Sequence, residues 1–292
     1  MMKAANETTA PAVAWAGPLL LKLAKHVLLI ACLVVVLYPL LWMIASSFKP
    51  EKEIFSDHSL WPAHFTLDGM INGWNALGIG FGTFFRNSFL IAIPAVIGTV
   101  LSSSLVAFAF TYLEFPLKRL WFALMLTTLM LPYHVILIPQ YVLFLHLGWV
   151  NTFLPLIVPK FLAADAFFVF LMVQFFKGIP RQLFDAALMD GCNWFKIYWS
   201  IILPISVPAL ATAAIFSFIW TWEDFLGPLV YLSDIKKYTV SIGLQTFVDS
   251  SSQSAWGPLF AMSTLSLVPM FIVFSLFQRL IINGIASSGI KR

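Results

Sequence analysis

The chain has 292 residues, 60% of them apolar and only 10% charged, with a net charge of +4. An ordinary soluble domain carries about 25% charged residues, so this composition excludes a water-soluble globular protein. Several apolar runs exceed the ~18–20 residues that cross a bilayer, and the positive charge therefore reports membrane topology rather than nucleic-acid binding.

Residues 1–26 are polar and rich in small side chains, with Lys22 and Lys25 just before the first apolar run, and read as a cytoplasmic segment. No cleaved signal is evident, because the run from Val27 to Phe48 is long enough to stay as an anchor. Tyr38 and Trp42 lie toward its far end, where interfacial aromatics belong. Lys49 to Arg86 reads as an ordered external loop, so that residues 27–84 comprise one span and its loop. A core of five further spans then occupies residues 85–281, and residues 282–292 form a short cytoplasmic tail.

The second span is expected over Ser88–Tyr112, and its Gly98 and Ser102, four apart, make a low surface for another helix. A tight turn with Pro116, Lys118 and Arg119 leads to a third span over Leu120–Ile138, which Pro132 and Pro139 limit. The fourth is expected from about Phe161 to Phe176, short unless it begins near Leu154, with Lys160 and Asp165 at or inside its outer end. Ionisable groups beside apolar spans are costly and often functional, so this pair is a candidate for the substrate pathway. Interfacial anchoring is the plainer account. The fifth span is expected over Ile201–Trp222 and the sixth over Leu259–Ile281. The architecture implied is an all-α membrane protein of six helices.

With the amino terminus inside, eleven of the seventeen Lys and Arg residues fall on the cytoplasmic side. The positive-inside bias then puts both termini and the polar interval 177–200 in the cytoplasm. That interval reads as helix, break, helix. Pro180 suits a first helical turn, Gly191 suits the left-handed stop, and Asn193 caps the helix that follows. Leu183, Phe184, Ala187 and Leu188 share one face by their three-and-four spacing. Asp190 opposes the helix dipole at a cost of roughly 0.3–1 kcal/mol, so it either serves an outside partner or pre-caps the next helix.

Asp185-Ala186-Ala187, Asp190-Gly191, Ile202-Leu203-Pro204 and Pro208 resemble the EAA loop of permease subunits of ATP-binding-cassette importers. Asp185 stands where that family usually has Glu, and Cys192 where it usually has Ala. Ser47-Phe48-Lys49-Pro50 and the ending with Gln278-Arg279, Gly284, Gly289 and Lys291 are similar to the same group. The resemblance, to the carbohydrate-uptake branch of type I importer permeases, covers nearly all of the chain after residue 26. It implies a coupling helix, Leu183 to Gly191, docking in a cleft of an ATPase subunit. It also implies a second permease, two ATPase subunits that bind ATP and Mg, an extracytoplasmic solute-binding protein, and residence in the bacterial inner membrane.

The stretch WTWEDFLGPL resembles an element at the outer end of the fifth core helix in carbohydrate permeases, with Glu223 in place of an expected Asn. Trp220, Trp222, Glu223 and Asp224 thereby join Lys160 and Asp165 as candidate pathway residues. Indole faces suit sugar rings and carboxylates suit hydroxyls, although an interfacial Trp belt would look the same. The run Pro159–Phe176 looks most like permeases for oligosaccharides, including acidic polyuronides such as alginate.

No GxxxxGK[ST] loop is present, so ATP hydrolysis is not expected on this chain. The five histidines have no metal-ligand spacing, and no hydrolase motif occurs, so neither a metal nor a catalytic residue is expected. Two rival readings stand beside the importer. A carrier driven by an ion gradient would place carboxylates at mid-membrane and show repeated halves, and neither is visible. A non-transporting scaffold would use the polar interval only to recruit a soluble protein.

Overall fold

The computed structural model describes residues 16–76, 78–249 and 255–288, with side chains of 16–20, 249 and 281–288 excepted. Every regular element among them is helical. Fourteen α-helices follow one another: α1 (Ala16–Ser46), α2 (Asp68–Asn75), α3 (Gly82–Tyr112), α4 (Lys118–Thr128), α5 (Tyr133–His146), α6 (Leu154–Ile157) and α7 (Ala166–Lys177). Then come α8 (Arg181–Met189), α9 (Trp194–Ile197), α10 (Leu203–Ile205), α11 (Val207–Glu223), α12 (Leu226–Tyr231), α13 (Val240–Asp249) and α14 (Trp256–Ser288).

Four stretches are long and apolar enough to cross a membrane: Leu21–Ser46, Gly82–Tyr112, Leu154–Lys177 and Trp256–Leu280. The third and fifth expected spans are each a bent pair instead of one straight helix. α4 and α5 meet at 101°, and the segment Trp194–Ile205 meets α11 at 78°. Both bends have a covalent cause. Pro132 pushes Leu131 out of the helical region, and Pro204 and Pro208 flank the turn at Ser206. Ser206 Oγ donates to Ile202 O at 2.6 Å within the second bend. Counting each pair as one span gives six.

Several segment boundaries move. α1 begins at Ala16, inside the segment read as a polar terminus, and α3 begins at Gly82, so Arg86 and the expected border at 84/85 lie within a helix. α14 runs past the expected start of the tail at 282, while Gly289 and Lys291 lie outside the described residues. The fourth span starts at Leu154 but is broken before α7, where Ala163 takes a left-handed conformation at φ 53°.

α3 is the axis of the bundle. It packs along α7 and α11, and α14 closes the other side of α11. The small face expected on α3 is where this happens: a Cβ on Gly98 would come within 2.6 Å of the Phe161 ring, and Ser102 Oγ donates to Lys160 O at 2.8 Å. Around one end of α7, Phe108, Tyr112, Phe168, Met172, Phe176, Phe184 and Tyr198 form a core joining α3, α7, α8 and α9. A second cluster, with Phe81, Phe84, Phe218, Trp222 and Met262, joins α3, α11 and α14. α1 leaves most of its apolar surface exposed, as a lipid-facing helix must.

Candidate functional site: a helical hairpin and a polar cluster at opposite ends of α7

The hairpin follows α7. Its first helix, α8, ends in a Schellman arrangement: Cys192 N donates to Ala187 O and Gly191 N to Leu188 O, both at 3.0 Å. Gly191 sits at φ +74°, a conformation that strains any residue with a Cβ. Two residues later Asn193 Oδ1 accepts from Lys196 N at 2.8 Å and starts α9. Stop and start are thus separated by one residue, which fixes the angle of the hairpin.

Only part of the expected apolar face points outward. Phe184 is 2% exposed and Ala187 is buried. The Phe184 ring stacks on Tyr112 at 4.9 Å and lies 5.4 Å from Trp194. These two residues therefore anchor α8 to its own chain and cannot enter a partner's cleft, contrary to the grouping read from spacing. The reason is that the apolar face is used from its middle outward: Leu183 and Leu188 flank the buried pair and are exposed. The side away from it presents Asp185, Ala186 and Asp190. Met189, 89% exposed, adds to it and was missed because one Met three residues from Ala186 looks unremarkable alone. Asp185 lies 3.9 Å from Arg181 Nε and is otherwise open. Asp190 makes no side-chain hydrogen bond among the described residues, and the cap of α9 is Asn193.

Behind the hairpin, Ser104 and Tyr198 share a buried hydrogen bond of 2.7 Å, and Tyr112 Oη donates to Phe176 O at 3.2 Å. Close-packed rings and buried polar contacts thus tie α8 to α3, α7 and the turn after α9. Interiors at crystal-like density transmit displacement instead of absorbing it.

The second region lies at the other end of α7. Lys160 Nζ pairs with Asp165 Oδ2 at 2.8 Å, both side chains partly exposed. Asp224 and Tyr231 come from neighbouring segments: Asp224 Oδ2 and the Leu156 side chain both crowd Gly227, and Tyr231 packs in one cluster with Leu156. Tyr231 escaped sequence reading, since only the fold brings it near. The Tyr231 hydroxyl is buried and unpartnered among the described residues.

The two tryptophans divide. Residues two apart on a helix point about 200° apart, so one wall cannot hold both. Trp222 is 4% exposed, stacks on Phe218 at 5.4 Å and donates from Nε1 to Ser266 O at 3.1 Å. It is a core residue, which removes it from the pathway set. Trp220 is 47% exposed and leans on Phe167 and Phe168, with centroids 5.0 and 5.1 Å away. Glu223 is exposed. Asp224 is spent largely on its own turn: its Oδ1 accepts from Gly227 N at 3.0 Å and its carbonyl from Ser241 Oγ at 2.7 Å.

An all-helical bundle with bent third and fifth spans and an outward-facing helical hairpin defines a permease subunit of an ATP-binding-cassette importer. Residues 98–286 match the family described as binding-protein-dependent transport system inner membrane component, and the chain belongs to it. It is a transport component and not an enzyme. An arabinooligosaccharide transport system permease of Halalkalibacterium halodurans is 35% identical over 260 residues, covering 88% of this chain and 92% of that protein. A diacetylchitobiose uptake system permease of Streptomyces coelicolor is 31% identical, covering 91% and 88%. An sn-glycerol-3-phosphate transport system permease of Yersinia pestis is 30% identical, covering 90% and 95%. A crystal structure of a bacterial transporter that imports the acidic polysaccharide alginate matches in fold, with a TM-score of 0.79 at 21% identity, over 92% of this chain and 99% of that one. Membership removes both rival readings, the ion-driven carrier and the scaffold.

Proposed function

We propose that the chain forms half of a saccharide pathway, receives its substrate from an extracytoplasmic binding protein, and is driven through α8 by ATPase subunits that carry ATP and Mg. A second permease completes the pathway, and both termini face the cytoplasm. The observation that carries this reading is the outward stripe of α8, with Leu183, Ala186 and Met189 exposed on a helix anchored from behind by Phe184. Burying the exposed Leu and Met side chains in a partner cleft contributes roughly 1.5–3 kcal/mol each, enough to hold a lever without a covalent bond. Closure of the ATPases then pulls α8, tilts α7 and α9–α11, and switches the side to which the pathway opens.

For the substrate, the support is the partly exposed Lys160–Asp165 pair, two residues ahead of the Phe167 ring on which the half-exposed Trp220 leans. Its charges suit hydroxyls, and the indole suits a sugar ring. Two of the relatives are named for oligosaccharides, which favours that class, and Lys160 would not repel an acidic one. The decisive experiment measures ATP hydrolysis by the reconstituted complex as binding protein loaded with different labelled oligosaccharides is added. Stimulation by one class and not by glycerol 3-phosphate is expected. Transport that survives ATP depletion would overturn the reading.

A further inference from the structure

A pocket of about 590 Å³ opens beside the root of α8, between the α3–α4 turn and the α7–α8 turn. Four cations line it: Lys118, Arg119, Lys177 and Arg181. The one acid in the lining, Glu114, lies 3.3 Å from Lys118 Nζ and faces mainly outward. Arg119 makes no hydrogen bond or ion pair among the described residues, and Lys177 Nζ rests over the Phe122 ring at 5.5 Å with no acceptor. Two positive charges thus line one pocket with no acidic partner among the described residues. Leu117, at the pocket's rim, keeps a left-handed backbone at φ 58°, unfavourable for a residue with a Cβ.

The pocket continues onto an apolar surface. No residue of α4 is buried, and Leu120, Trp121 and Leu124 are all exposed along it. Phosphate chemistry suits the cations, and it has two sources, a lipid headgroup or a free anion. A free anion has no use for the apolar face beside it, whereas a phospholipid places its headgroup in the pocket and its chains along α4. Basic pockets at the cytoplasmic ends of spans bind acidic headgroups in this way. We infer that this pocket holds the headgroup of an anionic phospholipid of the cytoplasmic leaflet. The inference rests on the orientation in the proposed function, which puts this end inside.

The consequence concerns coupling. Lys177 is the last residue of α7 and Arg181 the first of α8. A headgroup held between them and the α3–α4 turn fastens the base of the lever, so acidic lipid raises the share of ATP hydrolysis that depends on loaded binding protein.

The test uses the intact complex in nanodiscs of phosphatidylcholine with or without phosphatidylglycerol, with lipid retention read by native mass spectrometry. Wild type is expected to retain phosphatidylglycerol selectively. Retention is expected to fall about fivefold for each cation removed in Arg119→Gln and Lys177→Gln. Arg119→Lys and the remote Lys52→Gln should retain it. Equal loss in Lys52→Gln, or no loss in the first two variants, overturns the inference. Inorganic phosphate displacing the lipid at low millimolar concentration would show a free-anion site and overturn it too. So would release of the ATPase subunits from Arg119→Gln with lipid retention unchanged, which would mean that the cations face that partner. Lipid retention is scored without substrate, so a failure of the importer reading, seen as wild-type ATPase deaf to binding protein, is recorded separately.

Discussion

The two ends of α7 treat their conspicuous residues in opposite ways. At the hairpin, own-chain needs are met by Phe184, Ala187, Gly191 and Asn193, and a stripe of side chains is left exposed, with no partner beyond α8 itself among the described residues. At the other end, the residues that look most functional are largely consumed at home: Trp222 by Ser266 and Phe218, Asp224 by Gly227 and Ser241. A residue without an internal job is the better candidate for an external one, and by that measure the hairpin is the stronger of the two sites.

The hardest blow to the hairpin is Gly191→Pro. Proline cannot adopt φ +74° and removes the N–H that donates to Leu188 O. The variant is expected to insert in the membrane and yet lose at least about tenfold of its binding-protein-stimulated ATPase activity, a coupling change of more than ~1.4 kcal/mol. Asp185→Lys should act in the same direction by reversing the charge on the docking side. Normal transport by both would end the lever role of α8.

The division of the tryptophans yields the next contrast. Trp222→Ala should destabilise the subunit by about 3–5 kcal/mol, because it empties a packed site and removes the Nε1 hydrogen bond to the Ser266 carbonyl. Trp220→Ala, on a half-open surface, should cost about 1 kcal/mol or less and fall instead on substrate-stimulated hydrolysis. Thermal unfolding in detergent separates the two. Similar losses of stability would erase the distinction between core and pathway.

Within α8 the same logic separates neighbours. Phe184→Ala should cost about 3–5 kcal/mol of stability, since its ring is buried against Tyr112 and Phe108. Met189→Ala should leave the melting temperature unchanged and weaken retention of the ATPase subunits on purification. If Met189→Ala melts early, or if the ATPases are retained in full, the stripe is not a docking surface.

What the sequence made legible follows the same line. The hairpin is written in local signals: a glycine for the stop, an asparagine for the start, three-and-four spacing between. Each acts within five residues, so reading along the chain finds it. The division of α8 into an anchoring and a docking side was not legible, because Tyr112 lies more than 70 residues away in sequence. The same holds for the polar end of α7, since Tyr231 comes near it only through α12. Pro132 announced the break in the third span but not its angle, whereas Pro139, expected to limit that span too, lies inside the continuous α5. The reach of α3 back to Gly82 was hidden because Arg86 and Asn87 look like loop residues. In the fold Asn87 Nδ2 donates to the carbonyls of Lys236 and Tyr238, at 2.8 and 3.0 Å.

The smallest expected effect tests whether the outer end is held by home contacts generally. Lys49, in the Ser47–Pro50 motif, has a fully buried side chain that donates to the carbonyls of Asp57 and Ser59 at 2.6 and 2.7 Å. Ser59 donates its N–H and its hydroxyl to the Asp57 carboxylate, both at 2.9 Å. Those bonds, with a lesser contribution from Lys49, hold the Asp57 carboxyl below its ordinary value of 3.8. A carboxyl depressed on folding adds stability that is present above its unfolded pKa and disappears as pH falls through the folded one. Wild type should therefore melt slightly above Asp57→Asn at neutral pH, and the gap should close as the medium is taken below pH ~4. No gap at neutral pH would mean that the loop is held by the Lys49 carbonyl bonds alone, and that the carboxylate of Asp57, unlike that of Asp224, has no internal role.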